Sequence, residues 1–132
     1  MHLLRRTLYA MAAVWAVCGA ALVVAPRWIL ADVFDQVPYP DHAYVRVAGV
    51  LSFCAALLMV ITAQRLDEIW VFTWAFVFAA GGTFVVAFAN AAWGHPSGSS
   101  PVLWWIFAAA SLLFSLALLA GLAKAGSERP PV

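Results

Sequence analysis

Charge is what this chain has least of. Only 10% of its 132 residues are Asp, Glu, Lys or Arg, against about 25% in a typical soluble domain. So few charges cannot coat a surface with polar groups, so the expected solvent is lipid. The net charge of +1 gives no reason to invoke nucleic acid, and no basic patch interleaved with aromatics exists. Cysteine is nearly absent. Cys18 and Cys54 both fall inside apolar runs, with no C-x-x-C and no Cys/His cluster, so neither a thiol-redox motif nor a zinc site assembles locally. His2, His42 and His95 lie outside the apolar runs, which argues against haem held by axial histidines in a bilayer core. No Asp, Glu, Lys or His sits midway along any apolar run. Such residues mark ion pathways and proton relays, so their lack argues against a pump or an ion-coupled transporter. No lipidation signal is present.

Hydrophobic residues make up 66% of the chain. Crossing about 30 Å of hydrocarbon takes about 20 mostly apolar residues in a helix, and four segments qualify: 7–25, 42–63, 68–93 and 101–123. None has an interior proline. The expected fold is all-α: an integral membrane four-helix bundle, up-down-up-down, forming one domain over 1–125 with a disordered cytoplasmic tail at 126–132. Ser100-Pro101 offers a cap hydroxyl followed by proline at the first helical position. Asp41 can cap the second span. Asp67 and Glu68 put negative charge where the third helix dipole favours it, and Gly94 stands where a C-cap glycine belongs. Arg5-Arg6, an apolar stretch and "VVA" before Pro26 also resemble a secretory signal peptide; since the stretch is present from Met1, a retained first helix is the expectation.

Cationic residues mark the cytoplasmic ends of spans. Arg5, Arg6, Arg65, Lys124 and Arg129 lie on one side, with Arg27 and Arg46 on the other. This predicts a multi-pass protein with both termini cytoplasmic. Arginine outnumbers lysine six to one, which with abundant alanine and valine suggests a bacterial plasma membrane. Trp28, Tyr39, Tyr44, Trp93, Trp104 and Trp105 would then form an outer aromatic belt. Helices in lipid associate through small residues. The expected tracks are Ala12, Ala16 and Ala20; Ala48, Ser52, Ala55 and Ala56, with Gly49 one position off; Ala79 to Thr83; and Ala108, Ser111, Ser115 and Gly121. The short "QRLDE" connection predicts that spans two and three are antiparallel neighbours.

Polar chemistry concentrates in "PRWILADVFDQVPYPDHAYVR", residues 26–46. Ile29, Leu30, Val33, Phe34 and Val37 repeat at three- and four-residue spacing, with Asp32, Asp35 and Gln36 mainly opposite. That predicts a short amphipathic helix lying in the interface, ended by "VPYP", as a lid over the outer end of the bundle. Arg46 would sit in the second turn of its span, where the dipole disfavours a cation; Asp32, Asp35, Asp41, a lipid phosphate or a partner would stabilise it. Asn90 is the strongest polar group within a span. Arg46, Asn90, Trp93, Trp28, Asp32 and Asp35 are the candidate ligand or partner contacts. Cys18 and Cys54 both lie about 10–12 Å below the outer surface at 1.5 Å rise per residue, and could face each other or simply pack as small hydrophobes.

An arginine, then glycine, then small and aliphatic residues, then an arginine at the inner edge appears as "RVAGVLSFCAALLMVITAQR". It follows a helix ending in proline before an aromatic-rich loop. In this the first half of the chain resembles the DoxX-like small four-helix bacterial membrane proteins. Some of these are subunits of respiratory quinone-reducing complexes, which implies a membrane-complex role; no set of quinone-site residues transfers. The leading expectation is a non-catalytic accessory or interaction subunit of a larger membrane complex, which the resemblance would make a respiratory one, contacting lipids and other membrane subunits or copies of itself. The alternative is a binder or carrier of a hydrophobic small molecule, a quinone or lipid, at the outer half of the bundle.

Overall fold

A computed structural model describes residues 1–37, 41–94 and 96–128. Pro38, Tyr39 and Pro40 of the "VPYP" turn, His95, and residues 129–132 with Arg129 lie outside the described residues. Every regular element among the described residues is helical, and four helices are long and apolar enough to cross a membrane. They are α1 (His2–Val24), α2 (Ala43–Gln64), α3 (Leu66–Gly94) and α4 (Val102–Glu128). A π-helical turn, Trp28–Val33, follows α1. α3 is composite: it tightens into a 3₁₀ turn at Trp70–Phe72 and widens into a π turn at Asn90–Gly94.

The helices overrun their expected ends at one pole. α1 starts at His2 because Arg5 is tied into the packing: its Nε donates to the Ala63 carbonyl at 3.0 Å, and its guanidinium meets Asp67 at 3.4 Å. Ala63 belongs to the last turn of α2, whose carbonyls lack helical partners, so a cation there is favourable. α4 continues through Gly126, Ser127 and Glu128, three residues expected in a disordered tail. Nothing in that stretch breaks a helix before Pro130, and the Ser127 hydroxyl donates back to the Lys124 carbonyl at 2.8 Å. The caps shift by a residue. The Asp41 carboxylate accepts from Ala43 N–H at 2.8 Å, and α4 begins at Val102, whose N–H reaches Ser100 Oγ at 3.3 Å.

Packing is not that of four equivalent neighbours. α1 packs along α2, α3 along α4, and α1 joins the two pairs by touching α4; α2 and α3 hardly meet. This corrects the expectation drawn from their short connection. Arg65 alone separates them in sequence, but the chain turns so that the two helices diverge. A short connection limits where helices start, not the angle at which they leave. Residue numbers fall along α2 as they rise along α1: Arg5 meets Ala63 and Gly19 meets Gly49. The closest approach is at those glycines, where a Cβ built on Gly19 would stand 2.6 Å from the Gly49 carbonyl oxygen. Ala12 is buried and Ala16 packs against the core, but Ala20 is exposed, so the alanine track serves the packing only in part and the closest backbone contact falls to the glycines of both helices.

At one end of the bundle small residues such as Ala87, Ala91 and Ala108 are buried; the main interlocked cluster lies in the other half, which holds the termini. Leu4, Leu8, Met11 and Ala12 interlock there with Ala56, Met59, Ala63, Val77, Ala80, Leu118 and Leu122. Gly121 admits Leu4, since its missing Cβ would lie 3.2 Å from the Leu4 Cα. In lipid such contacts act through dispersion and fit rather than through removal from water. Thr73 is fully buried, and its hydroxyl is without a hydrogen-bond partner. Large apolar side chains such as Phe72, Phe78 and Leu113 are more than 60% exposed, an arrangement that water would penalise and lipid does not.

Candidate functional site

At the opposite end, which holds the Trp28–Val33 turn and the start of α4, the α1–α2 pair and the α3–α4 pair separate. They leave a partly open cavity of about 1140 Å³. Its wall is built from one stretch of each helix: Val14 to Leu22 of α1, Tyr44 to Ala48 of α2, Phe78 to Ala87 of α3 and Leu103 to Ala110 of α4. A smaller chamber of about 250 Å³ continues toward the core. Cys18, Leu22, Thr83, Phe107 and Ala110 border both chambers. From Leu22 to Met11, the limits of the two chambers along α1, the depth is about 16 Å at 1.5 Å per residue.

The segment after α1 forms the roof. Ile29, Leu30 and Phe34 line the cavity, while Trp28, Val33 and Val37 are at least half exposed. Only part of the expected apolar stripe therefore faces inward, because the turn winds as a π-helix and the 3.6-residue register is lost. Phe34 N–H donates to the Ile29 carbonyl five residues back, and Asp35, at φ 51°, ends the turn in the left-handed region, which Asp tolerates better than most residues. A reciprocal latch then joins roof to α4. Gln36 Nε2 donates to the Ser100 carbonyl at 2.8 Å, and Ser100 N–H donates to the Asp35 carbonyl at 3.3 Å. The second π turn, Asn90–Gly94, lies at the same end of the bundle. Asn90 Oδ1 folds over the place a Gly94 Cβ would take, so the glycine gives room to that side chain and is not a left-handed cap.

The six residues singled out from sequence do not converge. Arg46, Asp32 and Asp35 are exposed, and the Arg46 side chain has no hydrogen bond or ion pair among the described residues. Trp28 is exposed, Trp93 is exposed and meets Phe88 edge-on at 6.0 Å, and half-buried Asn90 has its side-chain oxygen lying over Gly94. None of the six lines the cavity. Polar atoms that do reach it come from Gln36, Asp41, Tyr44 and Thr83, with Ser52 and Ser111 in the smaller chamber. Gln36 and Asp41 flank the proline-rich turn in the sequence. Their signal in the sequence was being the polar residues next to an apolar stripe and a helix start, one that competes with many others. Cys18 borders both chambers and is partly exposed, whereas Cys54 is exposed; both thiols are free and they do not pair. Among the described residues no group of three or more metal-ligating side chains gathers.

Comparison of the chain with protein-family models, with curated proteins and with solved structures found no match in any of the three.

Proposed function

We propose that this chain is a non-catalytic, DoxX-like multi-pass protein of the bacterial plasma membrane, with both termini cytoplasmic, that binds or carries a hydrophobic small molecule, a quinone or lipid. In this reading the bundle runs up-down-up-down, the Trp28–Val33 turn lies in the outer interface, and the cavity occupies the outer half. The carrying observation is the contrast within one bundle: an interlocked core at one end and an apolar cavity of about 1140 Å³ at the other. Ligand sites are commonly about 300–1,000 Å³, mostly apolar with a few polar groups, so the space suits a molecule at or beyond the large end of that range. Tyr44, Phe78 and Val86 are both lining and strongly exposed, which supports entry from the side, through lipid.

The accessory-subunit reading keeps one specific support. α2 and α3 hardly touch, and the gap would accept a helix of another subunit or of a second copy. Purification in a mild detergent, followed by sizing and extraction of bound small molecules, separates the two. Ligand binding predicts a stoichiometric amphiphile that is lost in Gly82→Phe, since a Cβ at Gly82 meets nothing within 4 Å and the ring would occupy the cavity. Comigrating subunits with no bound molecule would overturn the ligand reading in favour of the subunit one.

A further inference from the structure

The cavity's polar chemistry is one-sided. Among the described lining residues Asp41 is the single charged side chain, and it is acidic. Arg46, the nearest cation in sequence, is exposed and outside the wall. The uncharged groups have already spent their hydrogens on the protein. Both donor contacts of the Gln36 amide go to the Phe34 and Ser100 carbonyls, the Thr83 hydroxyl donates to the Ala79 carbonyl, and the Ser52 hydroxyl donates to the Ala48 carbonyl. What each offers inward is a lone pair. The remaining donors are the Tyr44 hydroxyl at the exposed rim, the Trp104 indole and, deep in the smaller chamber, the Ser111 hydroxyl.

Resting on the ligand-binding reading, we infer that the occupant is an elongated amphiphile whose polar end donates hydrogen bonds, a hydroxyl or an ammonium, seated against Asp41 and Gln36 with its apolar chain running toward Cys18 and Thr83. An anionic head, whether carboxylate or phosphate, would lie beside Asp41 with no cation in the wall to offset the repulsion. Of the two ligand classes in that reading this favours the lipid over the quinone: an ether or quinone oxygen seated against the Asp41 and Gln36 oxygens would face acceptors with an acceptor, leaving polar atoms unpaired on both sides, which costs more than the absent bond itself. A hydroxyl satisfies these lone pairs, and an ammonium adds a charge-assisted bond to Asp41.

The test uses the full chain with Cys54→Ala in nanodiscs, so that Cys18 is the sole thiol, and follows the rate of Cys18 alkylation by a membrane-permeant maleimide. Dodecanol, dodecylammonium, dodecanoate and dodecyl methyl ether share one chain and differ only in the head. The expected result is protection by the alcohol and the ammonium at concentrations about tenfold lower than the carboxylate and the ether require. Asp41→Asn, which keeps a cap-competent side chain, should erase the ammonium's advantage over the alcohol. Equal or better protection by dodecanoate or the ether, or an unchanged ammonium preference in Asp41→Asn, overturns the head-group assignment and leaves cavity binding standing. Protection by none of the four overturns cavity binding itself.

Discussion

Single residues in this bundle differ sharply in what they tolerate, and the glycines make the point. At Gly19 and Gly49 an added Cβ meets the backbone of the facing helix at 2.6 and 2.7 Å, and backbone cannot step aside as a side-chain tip can. Gly19→Ala or Gly49→Ala should therefore cost about 1–3 kcal/mol, in the range of overpacking, read as a lower midpoint in detergent unfolding. Gly82→Ala faces open space and should be neutral or stabilising by up to about 1 kcal/mol, since alanine is the better helix former. Thr73→Val replaces the buried, partnerless hydroxyl by a methyl of similar shape. Removing an unsatisfied polar group should raise stability, and a lower unfolding midpoint would show that the hydroxyl is satisfied. Arg5→Gln loses the bond to the Ala63 carbonyl and the exposed contact to Asp67. Most of its cost, about 1 kcal/mol, belongs to the carbonyl, so Asp67→Asn alone should change stability by less.

At the scale of elements, the roof and its latch are the least firmly held part of the structure. The Trp28–Val33 turn contributes no buried residue and is tied to α4 by the Gln36–Ser100 exchange. Gln36→Ala removes the 2.8 Å bond at a global cost of about 1 kcal/mol, yet it should loosen the roof selectively. The expected outcome is faster amide exchange over residues 28–37 and faster alkylation of Cys18, with exchange in the α1–α2 seam unchanged. Uniform acceleration along the chain would mean that the latch supports the whole fold. The π turns explain why this region was hard to read. Periodicity arguments assume 3.6 residues per turn. Trp28–Val33 winds more loosely, so Ile29, Leu30 and Phe34 turn inward while Val33 and Val37 do not.

For the whole molecule, the distribution of basic residues predicts orientation. A cysteine placed at Ser97 or Gly98 should react with an impermeant maleimide in intact cells, and one at Ser127 only after permeabilisation; the reverse pattern would invert the proposed topology. That the chain is helical, with four spans long enough to cross a bilayer, was legible in the sequence because lipid imposes it. A run of about 20 apolar residues without charges can satisfy its backbone only as a helix, and the runs end where Asp41, Arg65 and Ser100 stand. Which helices pair was not legible, because small residues occur on every span and only the three-dimensional crossing selects Gly19 against Gly49 over the alanines beside them. Nor was the site. Arg46, Asn90 and Trp93 draw the eye by being polar or aromatic near a span end, but a cavity is defined by where helices part. The divergence of α2 from α3 and the unwinding of the roof set that, so Asp41, Gln36 and Thr83 face the space and their more conspicuous neighbours face away.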